Sequence, residues 1–317
     1  MRGSNNQNNR ALAEAVKKIT PSLGHYSISD EAGVEHYACE GGGAIPSIKV
    51  RSYRALVKVV GFFKYNYGPV LFRGQASCRR TLIPSGYRNA TAPADTDKRI
   101  DKFIQHVRDK GLVDYMNDQR MRATTEPLLQ HYGLRTRWID LVDSIPHALF
   151  FALNRCVQSP YSKKQMTFVP SDKAYGSLLL VRTGTMKTTR IGGKTLHGVW
   201  SSDTGLRICD LRIEKPGTAL RPHSQHAFLC TKTKKGTPGV DLWPHVIAHI
   251  FFDVSEAKSW IGGDALSREA LFPGPKWDQV YGSLLGAPAQ RHYAEFKQSV
   301  DPTFDVDFVA DYDFCHF

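Results

Sequence analysis

Hydrophobic positions fall at helical spacing in several stretches of the chain. Leu56, Val59, Val60 and Phe63 recur at i, i+3, i+4 and i+7 behind Ser52, and Asn66 to Pro69 break the run. Ile100, Phe103, Ile104 and Val107 repeat the pattern behind Asp95 or Thr96, either of which would cap an amphipathic helix. In EPLLQHYG, Pro127 suits a first helical turn and Gly133 the left-handed stop, so His131 and Tyr132 fall at a helix end. Ser144 and Pro146 open a further helix carrying Leu149, Ala152, Leu153 and Cys156. Between the helices the pattern predicts short strands, one from Val70 to Phe72 leading into Arg73-Gly74-Gln75 and one from Thr136 to Asp140. After Ser177 it turns to strands, near 177–182, 206–213, 227–232 and 246–254, with helices near 11–19, 255–260, 265–271 and 290–298. The expectation is an α+β fold with a mixed or antiparallel sheet core and flanking helices.

Residues 1–50 are polar and glycine-bearing and read as a disordered or extended lead-in, 51–290 as the main domain, and 291–317 as a helix end and an acidic tail. Gly41-Gly42-Gly43 lacks the spacing of a phosphate loop and reads as linker. No stretch of about 18 apolar residues and no apolar leader occurs, so no membrane association is expected and the address expected is the cytoplasm. The six cysteines are scattered without CxxC spacing, as befits reduced thiols.

Charge adds a second constraint. The net charge is +12, but the tail from Asp301 carries five aspartates and no Lys or Arg, so residues 1–300 hold 42 − 25 = +17. Such a body favours polyanions, which makes nucleic acid a candidate partner. The tail alternates aspartate with apolar residues, a pattern suited to docking as an edge strand, or to competing for the basic surface as an anion mimic.

Candidate chemistry centres on Arg73. Its planar fork at a strand end can grip a phosphate bidentately, and the following glycine leaves room for close backbone approach. His131, Thr136, Arg137 and Asp140 bracket one short strand and can converge on a pocket. The spacings His223-x-x-His226 and His245-x-x-x-His249 fall in strand or loop, where they do not set metal ligands side by side. No nucleophile elbow and no acidic cluster for two-metal chemistry is found outside the tail.

Four segments in order, LFRGQ, QHYGLRTRWIDLVDSIPHALFFAL, RPHSQHAF and LFPG, resemble the FRG domain family. The family pattern usually has its tryptophan after the aspartate, whereas Trp138 precedes Asp140 here. A looser similarity to the ADP-ribosyltransferase motif order implies an ADP-ribosyltransferase-like fold and NAD as substrate. On that resemblance Arg73 binds the NAD diphosphate, His131, Tyr132 and Thr136 frame nicotinamide and ribose, and Gly74, Gln75 and Arg137 complete the cofactor site. His131, Asp140 and Gln225 stand at the reacting sugar. Because Gln225 is a neutral amide, Asp140 would supply the negative charge next to the oxocarbenium-like ribose. The implied activity is ADP-ribosyl transfer or NAD glycohydrolysis on a nucleic-acid or protein target, fitting a toxin or phage-defence effector. The alternative is a non-catalytic module binding nucleic acid or a phosphate ligand, with Arg79, Arg80, Arg88, Lys98, Arg99 and Tyr87 on its basic face. For Arg73 and Asp140 the competing role is an ion pair between strands, and for His131 a core hydrogen bond.

Overall fold

The structure is a computed structural model that describes residues 32–34, 45–77, 79, 81–88, 93–109, 123–158, 165–213, 219–232, 241–262, 266–274, 276–284 and 308–309. The expected helices at 11–19 and 290–298 and the triple glycine lie outside these residues. The chain opens with β1 (Ala32–Val34), β2 (Ser47–Val50), α1 (Tyr53–Tyr67) and β3 (Val70–Gln75). Ser52 caps α1, its hydroxyl accepting from the Ala55 amide at 3.1 Å. Then come α2 (Pro93–Asp109), α3 (Thr125–Gln130), β4 (Ile139–Val142), α4 (Ile145–Leu153), β5 (Asn154–Gln158), β6 (Gln165–Pro170) and β7 (Tyr175–Arg182). The second half holds β8 (Met186–Ile191), β9 (Lys194–Ser202), β10 (Leu206–Asp210), α5 (Leu220–Ser224), β11 (Ala227–Lys232) and β12 (Val246–Asp253). The short elements α6 (Val254–Ala257), α7 (Arg268–Leu271), α8 (Gln279–Leu284) and β13 (Phe308–Val309) complete the described chain.

Ten strands form one mixed sheet in the order β1-β2-β12-β7-β3-β4-β11-β10-β9-β8. All pairings are antiparallel except that of β2 with β12. The expected α+β class therefore holds. Both faces are covered where β7 runs through the middle. Leu178 and Leu180 pack with Leu56, Phe63, Phe72, Leu149 and Ile250 on one face, while Leu179 and Val181 join Leu71, Leu141, Ile208 and Trp243 on the other. That is why β7 is an unbroken apolar run rather than an alternating one. No helix among the described residues is long and apolar enough to cross a membrane.

The centre of the sheet is divided. β3 pairs with β7 along its whole length, from Val70↔Arg182 to Gln75↔Ser177. Toward β4 it makes a single pairing, Phe72↔Val142, and beyond it the two strands part. Helix α4 lies over this junction, packed on β3, β4, β5 and β7. Gly74 and Gly176 let it in: a Cβ at Gly74 would stand 1.8 Å from the Ala148 carbonyl oxygen, and one at Gly176 2.8 Å from that of Ala152.

Several boundaries differ from the sequence reading. The strand expected at 136–140 is Ile139–Val142, because the Thr136 hydroxyl captures the Trp138 amide at 3.1 Å and holds that stretch out of the ladder. Helix α4 stops at Leu153, where the Asn154 side-chain amide donates to the Phe150 carbonyl at 2.8 Å, so Cys156 belongs to β5. The strand near 206–213 ends at Asp210 and continues as a 3-10 turn, Leu211–Ile213. The β8–β9 hairpin was not expected, although Gly192-Gly193, both at positive φ, is a hairpin-turn signal in the sequence. Phe308–Val309 of the tail adds to β6 as a parallel edge strand on a second sheet, β13-β6-β5, in line with the docking expectation.

Candidate functional site

Where β3 and β4 diverge, a cavity of about 350 Å³ opens, lined by residues from eight separate stretches of chain. β3 contributes Arg73, Gly74 and Gln75, the end of α3 contributes Gln130 and His131, and β4 contributes Asp140. Gln225 enters from the turn before β11, and Phe151, Phe168 and Phe272 form an aromatic wall, with Phe168 and Phe272 stacked at 4.8 Å. Arg73 spans the gap that the backbones leave: its Nη1 donates to the Asp140 carbonyl at 2.8 Å and lies 3.7 Å from Asp140 Oδ2.

The hydrogen bonds fix the state of His131. Gln225 Nε2 donates to the Leu271 carbonyl at 2.9 Å, so Gln225 Oε1, 3.0 Å from His131 Nδ1, must accept. His131 Nδ1 therefore carries hydrogen, and in the neutral ring Nε2 is a lone-pair acceptor. Burial pushes the His131 pKa below its usual value, with Asp140 opposing the shift, so the neutral ring is favoured. His131 Nε2 faces Asp140 Oδ1 at 3.7 Å, and both are acceptors. Among the described residues neither atom has a hydrogen-bond partner, nor does Arg73 Nε, and all three are buried. Three orphaned polar atoms in one cavity ask for a ligand that presents an anion to the arginine and an N–H or O–H to the acceptor pair.

The electrostatics favour the anion. Among the described residues, Arg73, Arg79, Arg88 and Arg155 line the cavity against the single carboxylate of Asp140. Arg155 is matched by Asp172 at 3.5 Å. Burial lowers the Arg88 pKa, and the neighbouring charges of Arg73 and Arg79 lower it further. These cations thus repel one another in the ligand-free protein.

Six of the nine residues assigned to an NAD site from the sequence, Arg73, Gly74, Gln75, His131, Asp140 and Gln225, line this cavity, and so do Arg79 and Arg88, named for a basic face. Gly74 does so with a different reason for being glycine: the space beside it is filled by α4, not left for a ligand. Tyr132, Thr136 and Arg137 stand outside the lining. Tyr132 is buried with its hydroxyl donating to both carboxylate oxygens of Asp278, at 2.9 and 2.8 Å. The Thr136 hydroxyl donates to Gln130 Oε1 and so sets the orientation of a lining side chain. Arg137 is buried in a network with Glu126 (2.6 Å), Asp101 (2.7 Å) and Asp97 (3.6 Å), and it ties α2 and α3 to the chain entering β4. Tyr87 is buried too, its hydroxyl donating to Asp97 at 2.6 Å. Arg80 lies outside the described residues.

Sequence reasoning missed the support beneath the site. The fully buried Arg221 guanidinium stacks on Tyr281 at 3.9 Å, and its Nη1 reaches the His131 carbonyl at 3.4 Å. Asp278, also fully buried, accepts from the Tyr132 hydroxyl and from the amides of Leu220, Arg221 and Tyr281. These bonds lock the turn that carries His131. No signal short of the fold itself marks Asp278, which sits in a loop far along the chain. Among the described residues, no group of three His, Cys, Asp or Glu side chains is arranged to hold a metal.

Residues 68–160 match the FRG domain, a span that runs from the start of β3 past β5 and includes Arg73, His131 and Asp140. The chain matches no curated protein and no solved structure.

Proposed function

We propose that this protein, whose residues 68–160 match the FRG domain, binds NAD in the cleft between β3 and β4 and transfers ADP-ribose from it. The observation that carries the reading is the set of three buried atoms without hydrogen-bond partners, Arg73 Nε, His131 Nε2 and Asp140 Oδ1, around one cavity. A diphosphate satisfies the first and matches the guanidinium fork. The aromatic wall of Phe151, Phe168 and Phe272 suits a flat ring such as nicotinamide or adenine. The acceptor pair suits the hydroxyls of ribose and the incoming nucleophile.

The chemistry follows from those roles. The bond between ribose C1′ and the nicotinamide nitrogen breaks, and nicotinamide leaves with the electron pair. Positive charge develops on the sugar, and the Asp140 carboxylate stabilises it electrostatically. The nucleophile, an O–H or N–H compound, forms the new bond at C1′, and its proton passes to neutral His131 Nε2 or to Asp140. Gln225 acts as a positioning residue, because both of its polar groups are committed to His131 and Leu271. This division of labour removes the need for Gln225 to act as a base.

The test is nicotinamide release from NAD by the wild-type protein and by Arg73→Ala, Asp140→Asn and His131→Ala. Losing one oriented electrostatic contact to the reacting charge costs about 10²–10³ in rate, so Asp140→Asn should fall by that factor. Wild-type release that survives in Arg73→Ala and Asp140→Asn would overturn the reading. A non-catalytic phosphate-binding module is the second reading, favoured by the crowding of Arg73, Arg79 and Arg88. Saturable NAD binding with no turnover under any acceptor condition would select it.

A further inference from the structure

We propose that the acceptor of the ADP-ribose is a nucleic-acid strand, its phosphates held by Arg79 and Arg88 beside the diphosphate held by Arg73; this rests on the NAD reading above. Charge is the first argument. Apart from Arg155, which is paired with Asp172, the described lining residues set three guanidiniums against one carboxylate, a surplus of two positive charges among them. NAD, with two phosphate charges and one pyridinium cation, cancels only one of them. On that count the site stays cationic with its substrate bound, and burial, with the charges of Arg73 and Arg79, already weighs against the charged form of Arg88. A second anion relieves it.

The acceptor pair narrows the chemistry of that anion. His131 Nε2 and Asp140 Oδ1, 3.7 Å apart, both require a hydrogen from the ligand. An ionised carboxylate of an acidic protein has none to give and would be repelled by Asp140. A nucleotide carries phosphate for the arginines together with amino or hydroxyl donors for the pair. The basic character also continues beyond the cavity: Arg88 follows the 3-10 turn Ser85–Tyr87, which packs on α2, where Lys98, Arg99 and Lys102 are exposed and Asp101 between them is engaged by Arg137. Guanidinium forks suit phosphate, and a track of cations suits a repeating anion.

The experiment uses the full chain, labelled NAD and fluorescent single strands of DNA and RNA of about 20 nucleotides, enough to span one binding groove. Label transfer to the strand, nicotinamide release and strand binding across a salt series are read in parallel for wild type, Arg79→Ala and Arg79→Ala/Arg88→Ala. Arg79 is exposed, so the single variant keeps the test open if the double variant fails to fold. Label on the strand is expected, with the ratio of labelled strand to released nicotinamide falling at least tenfold in the double variant. The salt slope of binding should drop by about 1.4 for two lost phosphate contacts. Nicotinamide release with label on protein alone, or an unchanged slope in both variants, overturns the acceptor assignment and leaves the NAD reading standing. No nicotinamide release from wild type overturns the NAD reading and, with it, the assignment.

Discussion

Gly74→Ala tests why the chain has glycine after its central arginine. A Cβ at that position would lie 1.8 Å from the Ala148 oxygen, 2.9 Å from its carbon and 3.0 Å from the Ala152 nitrogen, all backbone atoms of α4. Real Cβ contacts do not fall below 3.0 Å, so the helix must retreat by about 1.2 Å at Ala148. Ala148, Leu149 and Ala152 are fully buried against the sheet, and a gap of that size forfeits about half of each contact's attraction. Overpacking of this kind costs about 2–4 kcal/mol. Gly61→Ala is the matched control: it lies exposed in the interior of α1, and its added Cβ meets nothing within 4 Å. There the helix propensity of alanine should stabilise by about 0.5–1 kcal/mol. Urea denaturation of the two variants should give shifts of opposite sign. A stable Gly74→Ala protein that had lost only the proposed NAD binding would refute the packing argument and restore the view that this glycine makes room for a ligand.

Asp278→Ala should destabilise by about 3–5 kcal/mol, since it removes the buried acceptor shared by the Tyr132 hydroxyl and the amides of Leu220, Arg221 and Tyr281; thermal melting checks it, and a change under 1 kcal/mol would contradict the structure. Burial holds the His249 pKa at about 4 against 6.5 when unfolded, so below pH 6.5 the unfolded chain takes up a proton that the folded one refuses. Stability should therefore fall by about 2 kcal/mol between pH 7.5 and 5, and His249→Leu should flatten that difference in denaturant midpoints measured at the two pH values. Burial raises the Cys230 thiol to about 12, whereas Cys156 is exposed; peptide mapping after brief alkylation at pH 8 should find Cys156 modified and Cys230 intact.

Much of the fold was legible where local signals agreed. Ser52 with the Leu56–Phe63 periodicity gave α1, and the apolar run ending in Arg73 gave β3, because cap, spacing and breaker all pointed one way. The start of β4 was misplaced because Thr136 looks like a strand residue, yet its hydroxyl serves Gln130 and the Trp138 amide. The same holds for the site. Arg73, His131 and Asp140 were legible as polar residues at element ends, and Gln225 only through the resemblance in motif order. Arg137 shares their neighbourhood in sequence, but its carboxylate partners lie on α2 and α3, and no local pattern reveals that. Arg88 and the phenylalanine wall reach the cavity only through tertiary packing.

The single Phe72↔Val142 pairing leaves the two halves of the large sheet with almost no shared ladder. The bore of the cleft is consequently gauged by the girth of α4, which rests on β3 and β4 together. Side-chain volume on the sheet-facing side of that one helix, at Ala148, Leu149 and Ala152, becomes the dimension by which selection or an engineer would widen or narrow the mouth without touching a residue that lines the cleft.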